Sequence, residues 1–78
     1  MAGLYTYVRM LFNSEGIDPK TIIPLMKEVG FEPAMGVHDF FHDWGKRHVT
    51  LEDVADLALK LHERLRGHNI QYEITTVR

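Results

Sequence analysis

Residues 31–44 read Phe31-Glu32-Pro33-Ala34-Met35-Gly36-Val37-His38-Asp39-Phe40-Phe41-His42-Asp43-Trp44. Their reading decides the fold. Taken as one strand, they leave the chain with three strands and two helices, a βαβαβ order. Taken as two short strands around a turn, they make it βαββαβ. Pro33 has no N–H to give to a ladder, so it belongs at a sheet edge. Gly36 and Asp39 are turn residues. The stretch therefore predicts a short edge strand within Phe31–Val37, a turn around Gly36–Asp39 and a second strand over Phe40–Trp44. The alternative merges residues 32–44 into one long strand of a three-stranded sheet.

The flanking segments carry clearer signals. Leu4 to Phe12 is rich in β-branched and aromatic residues, as strands are. Strand parity assigns Leu4, Thr6, Val8, Met10 and Phe12 to the core and turns Tyr5, Tyr7, Arg9 and Leu11 outward. Asn13-Ser14-Glu15-Gly16 supplies turn chemistry. Asp18-Pro19 opens a helix, because Asp is a favoured N-cap and Pro fits the first helical position. Ile22, Leu25, Met26 and Val29 recur at helical spacing, and Gly30 ends the run in the left-handed conformation. Pro24 must either kink this helix or mark where its regular part begins. Thr50, with Asp53 three residues on, forms a capping box for a second helix. Leu51, Val54, Ala58, Leu61 and Leu65 form its apolar stripe, and Gly67 ends it. Ile70 to Val77 alternates, with Ile70, Tyr72 and Ile74 inward.

The order strand–helix–strand–strand–helix–strand over residues 1–78 predicts a single α+β domain. Its expected architecture is the ferredoxin-like α/β plait, βαββαβ, with two helices on one face of an antiparallel sheet and the other face open.

Composition narrows the function classes. With 45% hydrophobic residues the chain has material for a core, and at 78 residues that core is worth about 3–5 kcal/mol net. It has no cysteine, which excludes disulfides, iron–sulfur clusters and thiolate zinc sites. A net charge of −2 provides no global field for nucleic acid or an anionic membrane. No apolar run approaches a membrane span, and no signal-peptide pattern opens the sequence. A soluble, cytoplasmic protein is expected.

Two constellations in Val37–Trp44 are candidates for chemistry. His38-x-x-x-His42 has the spacing of a helical two-histidine metal site. On a strand, however, four residues span roughly 13 Å at about 3.3 Å each. Two nitrogens that must each lie about 2 Å from zinc cannot bridge that gap. His38, Asp39, His42 and Asp43 together would be the residues of a metal-binding protein or small enzyme. No phosphate loop or nucleophile elbow accompanies them, so no cofactor is expected and a non-enzymatic role is favoured. Parity turns Phe40, His42 and Trp44 inward. His42 is then a core histidine that His62, at the edge of the second helix's stripe, could approach. Protonating both would place like charges together.

The same parity puts Asp39, Phe41 and Asp43 outward. In a plait the first and third strands are antiparallel neighbours, so these three meet Tyr5, Tyr7 and Arg9 on the open face, with a cross-strand Arg9–Asp39 ion pair expected. Exposed apolar faces of this kind usually mark contacts, and a homodimer through the open sheet is the favoured reading. A solvated face carrying amphipathic tyrosines is the second. Single-stranded RNA stacking is a third reading, opposed by the aspartates on the face. Lys46-Arg47-His48 forms a short basic loop, read as solvated or as a contact for phosphate or an acidic partner.

Leu11-Phe12-Asn13-Ser14-Glu15-Gly16, Val29-Gly30-Phe31-Glu32-Pro33, the His38–Trp44 stretch and Leu65-Arg66-Gly67 together resemble a group of small uncharacterised archaeal single-domain α/β proteins. The resemblance implies a cytoplasmic, stand-alone module and carries over no catalytic residue. The sequence thus predicts an interaction or ligand-sensing module, with the fold itself compatible with several functions.

Overall fold

The computed structural model describes residues 3–78. The elements are β1 (Tyr5–Leu11), α1 (Pro19–Val29), β2 (Glu32–Pro33), β3 (Phe40–Asp43), α2 (Leu51–Leu65) and β4 (Gln71–Val77). The four strands form one antiparallel sheet in the order β2-β3-β1-β4. Residues 32–44 are not one strand, so the three-stranded alternative is overturned. Glu32 pairs with Phe41 and Pro33 with Phe40, closing a hairpin whose Ala34 N–H donates to the Asp39 carbonyl at 2.8 Å. Pro33 sits on the outermost strand, where its missing N–H costs no ladder bond.

The core lies between the sheet and both helices. Thr6, Val8 and Met10 of β1 are buried, as the alternation requires, together with Phe40 and Trp44. Phe12 is not part of this set. β1 ends at Leu11, and Phe12 enters the turn 38% exposed. From α1 come Ile22 and Met26, and from α2 Leu57, Leu61 and Leu65. Phe31 is the largest fully buried side chain. It lies between the Gly30 cap and β2, and burying a side chain of this size contributes about 1.5–3 kcal/mol.

The stripe of α2 differs from expectation. Leu57 is buried, while Leu51 is 85% exposed. The cause is helical phase. At about 100° per residue, Leu57 lies roughly 40° around the helix from Leu61, and Leu51 roughly 80°. Leu51 is also the first residue of the helix and overhangs the core's end.

The helix ends carry the caps expected of them. Asp18 Oδ1 accepts the Lys20 and Thr21 N–H groups, with Pro19 at the first helical position. Gly30, at φ 111°, returns its N–H to the carbonyls of Met26 and Lys27. α1 runs from Pro19 through Pro24 without interruption. Pro24 and Lys20 are both exposed, so water can take the carbonyl that Pro24 leaves free. Thr50 and Asp53 complete the capping box on α2. The other end of α2 closes at Leu65, with Arg66 rather than Gly67 as the cap residue and His68 N–H donating to the Leu65 carbonyl at 3.1 Å.

Candidate functional site

The two helices occupy the face that carries Thr6, Val8 and Met10. The odd-numbered residues of β1 and their ladder partners therefore form the opposite, uncovered face. Register aligns Tyr5 with Asp43 and Val77, Tyr7 with Phe41 and Thr75, and Arg9 with Glu73. Three of these are aromatic and touch. Tyr5 and Tyr7 stack with centroids 6.0 Å apart, and Tyr5 meets Phe41 at 6.4 Å. Offset and tilted pairs at these separations each add about 0.5–1.5 kcal/mol beyond their buried area.

His38 extends this row. It precedes β3, where the strand no longer imposes alternation, and its imidazole lies on the Tyr7 ring at 4.6 Å with 24° between planes. The outward face thus holds a continuous row, Phe41–Tyr5–Tyr7–His38. Parity could assign Tyr5, Tyr7 and Phe41 to this face, but not His38. A loop residue's direction is set by the turn, not by a period of two.

Asp39 departs from the expected role. Its Oδ2 accepts the Met10 N–H at 2.7 Å, and its own N–H donates to the Val8 carbonyl at 2.9 Å. β1 outruns β3 here, and the Asp39 carboxylate stands in for the missing ladder acceptor. The expected Arg9–Asp39 ion pair is therefore not formed. Among the described residues the ion pairs are Arg47–Asp53 at 3.4 Å and Arg64–Glu28 at 3.1 Å. Arg9 remains exposed beside Glu73.

His42 points to the other side of the sheet. Its Nδ1–H donates to the Gly30 carbonyl at 2.7 Å, which fixes the proton on Nδ1 and leaves the Nε2 lone pair free in the neutral ring. The ring meets Trp44 edge-on at 4.6 Å and Phe31 at 6.0 Å. His38 and His42 therefore lie on opposite faces and cannot share an ion. His62 does not join His42 either. It is exposed, and its Nδ1 approaches the Tyr72 hydroxyl at 3.3 Å. Asp43 accepts the Gly45 N–H at 2.8 Å. His38, Asp39, His42 and Asp43 thus have four separate partners and do not converge. Among the described residues no group of three or more His, Asp or Glu is arranged to hold a metal, and no helix is long and apolar enough to cross a membrane.

Charge on the uncovered face is mixed. Arg9 lies toward one end, and Asp43 marks the other beside Tyr5. Glu32 and Glu73 flank the aromatic row. Carboxylates on both sides of the rings repel a phosphate backbone, which counts against the RNA reading. No family model, curated protein or solved structure matches this chain.

Proposed function

We propose that the chain is a cytoplasmic interaction module of the α/β plait class that pairs with a second copy through its open sheet face. The plait reading is supported by the strand order taken from the other edge, β4-β1-β3-β2, with both helices on one face. The observation that carries the functional reading is the row Phe41–Tyr5–Tyr7–His38 on the face the helices leave bare. Four neighbouring rings facing water are the material of a contact surface.

The charges favour a second copy as the occupant. A two-fold axis across Tyr7 that reverses strand direction sets Arg9 of each copy over Tyr5 of the other, with Asp43 alongside. That arrangement gives a cation both an aromatic face and a carboxylate. The face is small. Its strand residues cover roughly 300–400 Å² at sheet spacings, against about 800 Å² per partner in a standard interface. The dimer is accordingly weak, with a dissociation constant in the micromolar range or above.

Sedimentation equilibrium over a wide concentration range tests the proposal. The expected result is a monomer–dimer equilibrium that Tyr7→Ser shifts to monomer while the circular dichroism spectrum stays unchanged. A strict monomer at the highest concentration sinks it. So does a dimer that survives a Tyr5→Ser/Tyr7→Ser double variant.

A further inference from the structure

The end of the sheet away from the Leu11 turn holds a feature that self-association does not use. The loop over residues 45–49, Gly3 and Leu4 before β1 and Arg78 after β4 line an open cavity of about 470 Å³. Lys46, Arg47, His48 and Arg78 all line it, and no Asp or Glu does. This is a local concentration of cations in a chain whose net charge is −2. Two carboxylates on the flanking elements, Asp43 and Asp53, have partners of their own. Asp43 Oδ1 holds the Gly45 N–H at 2.8 Å, which shapes the loop. Asp53 accepts the Thr50 N–H at 3.0 Å and pairs with Arg47 at 3.4 Å. Arg47 is further fixed by its guanidinium carbon, 5.3 Å from the Trp44 ring centroid. One wall of the cavity is thus anchored to the core, while Lys46 and Arg78 form no ion pair among the described residues.

We propose that this cavity binds a small phosphorylated molecule. The charge argument selects the anion. Guanidinium and ammonium groups around one concavity match a multiply charged phosphate, which the planar arginine forks grip in pairs of hydrogen bonds. The volume argument selects the size. The cavity falls within the range of about 300–1,000 Å³ typical of small-molecule sites, and is larger than a bare phosphate needs. Leu4 and Val49 line it as well, giving an organic group apolar contact beside the cations.

The site lies off the aromatic face, so it stands or falls independently of the dimer. The test is a titration of the full chain, followed by amide chemical shifts. The probes are a ribonucleoside diphosphate, inorganic pyrophosphate, the unphosphorylated nucleoside, a polyglutamate peptide and a single-stranded oligonucleotide. Saturable shifts at residues 45–49 are expected with the diphosphate and pyrophosphate, the diphosphate binding more tightly. Lys46→Ala and Arg78→Ala each weaken binding about tenfold, the effect of one charge-assisted contact. Both side chains are exposed, and neither is hydrogen-bonded among the described residues, so both variants stay folded. Tyr7→Ser leaves binding unchanged. The proposal is overturned by the absence of saturable shifts with either phosphate probe. It is equally overturned if the bare nucleoside binds as well as the diphosphate, if the peptide or oligonucleotide binds more tightly than the diphosphate, or if the Lys46 and Arg78 variants bind normally.

Discussion

The indole N–H of Trp44 donates to the Thr6 hydroxyl at 2.8 Å, at the one buried polar position among the described residues. The Thr6 hydroxyl in turn shares a 2.7 Å hydrogen bond with that of Thr76. Three side chains, one following β3, one on β1 and one on β4, are thus linked through a single atom inside the protein. Thr6→Val keeps the shape and removes that atom. It strands the indole N–H, a loss of about 1–3 kcal/mol, which is a large fraction of what a domain of this size has. Thr6→Ser keeps the hydroxyl and loses one methyl, about 0.8 kcal/mol. Urea denaturation should rank the variants wild type, Ser, then Val. The reverse order of Ser and Val would show that the hydroxyl contributes nothing.

Asp39 and Arg9 should respond very differently to truncation, although the sequence pairs them. Asp39→Ala leaves the Met10 N–H without its acceptor where β1 outruns β3, at a cost of about 1–2 kcal/mol. Asp39→Asn retains a neutral acceptor and should lose less. Arg9→Ala should change stability by no more than about 0.5 kcal/mol in dilute solution, because Arg9 is exposed and forms no ion pair among the described residues. Equal losses at the two positions would restore the ion pair that the geometry denies.

Acid should loosen the two helix starts before the core. The Thr50 N–H, donated to its carboxylate, holds the Asp53 carboxyl below its usual value, with Arg47 adding to the effect. The Thr21 hydroxyl and N–H do the same for Asp18. In both, the folded state favours the ionised form. Their contribution is present above the unfolded carboxyl's pKa, about 3.9, and is lost as pH falls through the lower folded-state value. Amide protection in the first turns of α1 and α2, taken relative to the intrinsic exchange rate at each pH, should therefore fall below about pH 4. The Asp18→Asn/Asp53→Asn double variant should show a flatter response. An identical response in the variant would place the acid sensitivity elsewhere.

What could be read from the sequence follows the reach of local rules. Caps depend on three or four adjacent residues, so Asp18-Pro19, Gly30 and the Thr50/Asp53 box were legible. Parity depends only on being in a strand, so Tyr5, Tyr7 and Phe41 were legible as outward, and Phe40 and Trp44 as inward. Other features lie between elements. Asp39 looks outward by parity, but the unequal lengths of β1 and β3 turn it to a backbone N–H. His38 lies just outside the strand, where alternation no longer applies, and the turn delivers it onto Tyr7. Leu57 was missed because a stripe traced through Leu51 and Ala58 has the wrong phase, and only the packed sheet reveals it. The cationic cavity was legible only as its loop, a short basic run open to phosphate or an acidic partner. Lys46, Arg47 and His48 are adjacent in sequence, but Arg78 joins them only through the pairing of β4 with β1.

Gly16 separates stability from ligand binding. It looks like an ordinary turn glycine after Asn13, but its role is spatial. A Cβ there would lie 2.5 Å from the Asn69 carbonyl oxygen and 2.7 Å from that of His68. Both are backbone atoms, so no side-chain rotation can relieve the clash. The adjacent Ile17 N–H donates to the His68 carbonyl at 3.0 Å, docking the turn after β1 onto the loop before β4. Gly16→Ala must push these loops apart, at a cost of about 1–3 kcal/mol. The expected outcome is a lower urea midpoint and shifted amides at residues 68–70. This contact lies at the opposite end of β1 from the cationic cavity. The folded fraction of Gly16→Ala should therefore still bind the ribonucleoside diphosphate with unchanged affinity. An unaltered midpoint would mean that the two loops are not docked in solution.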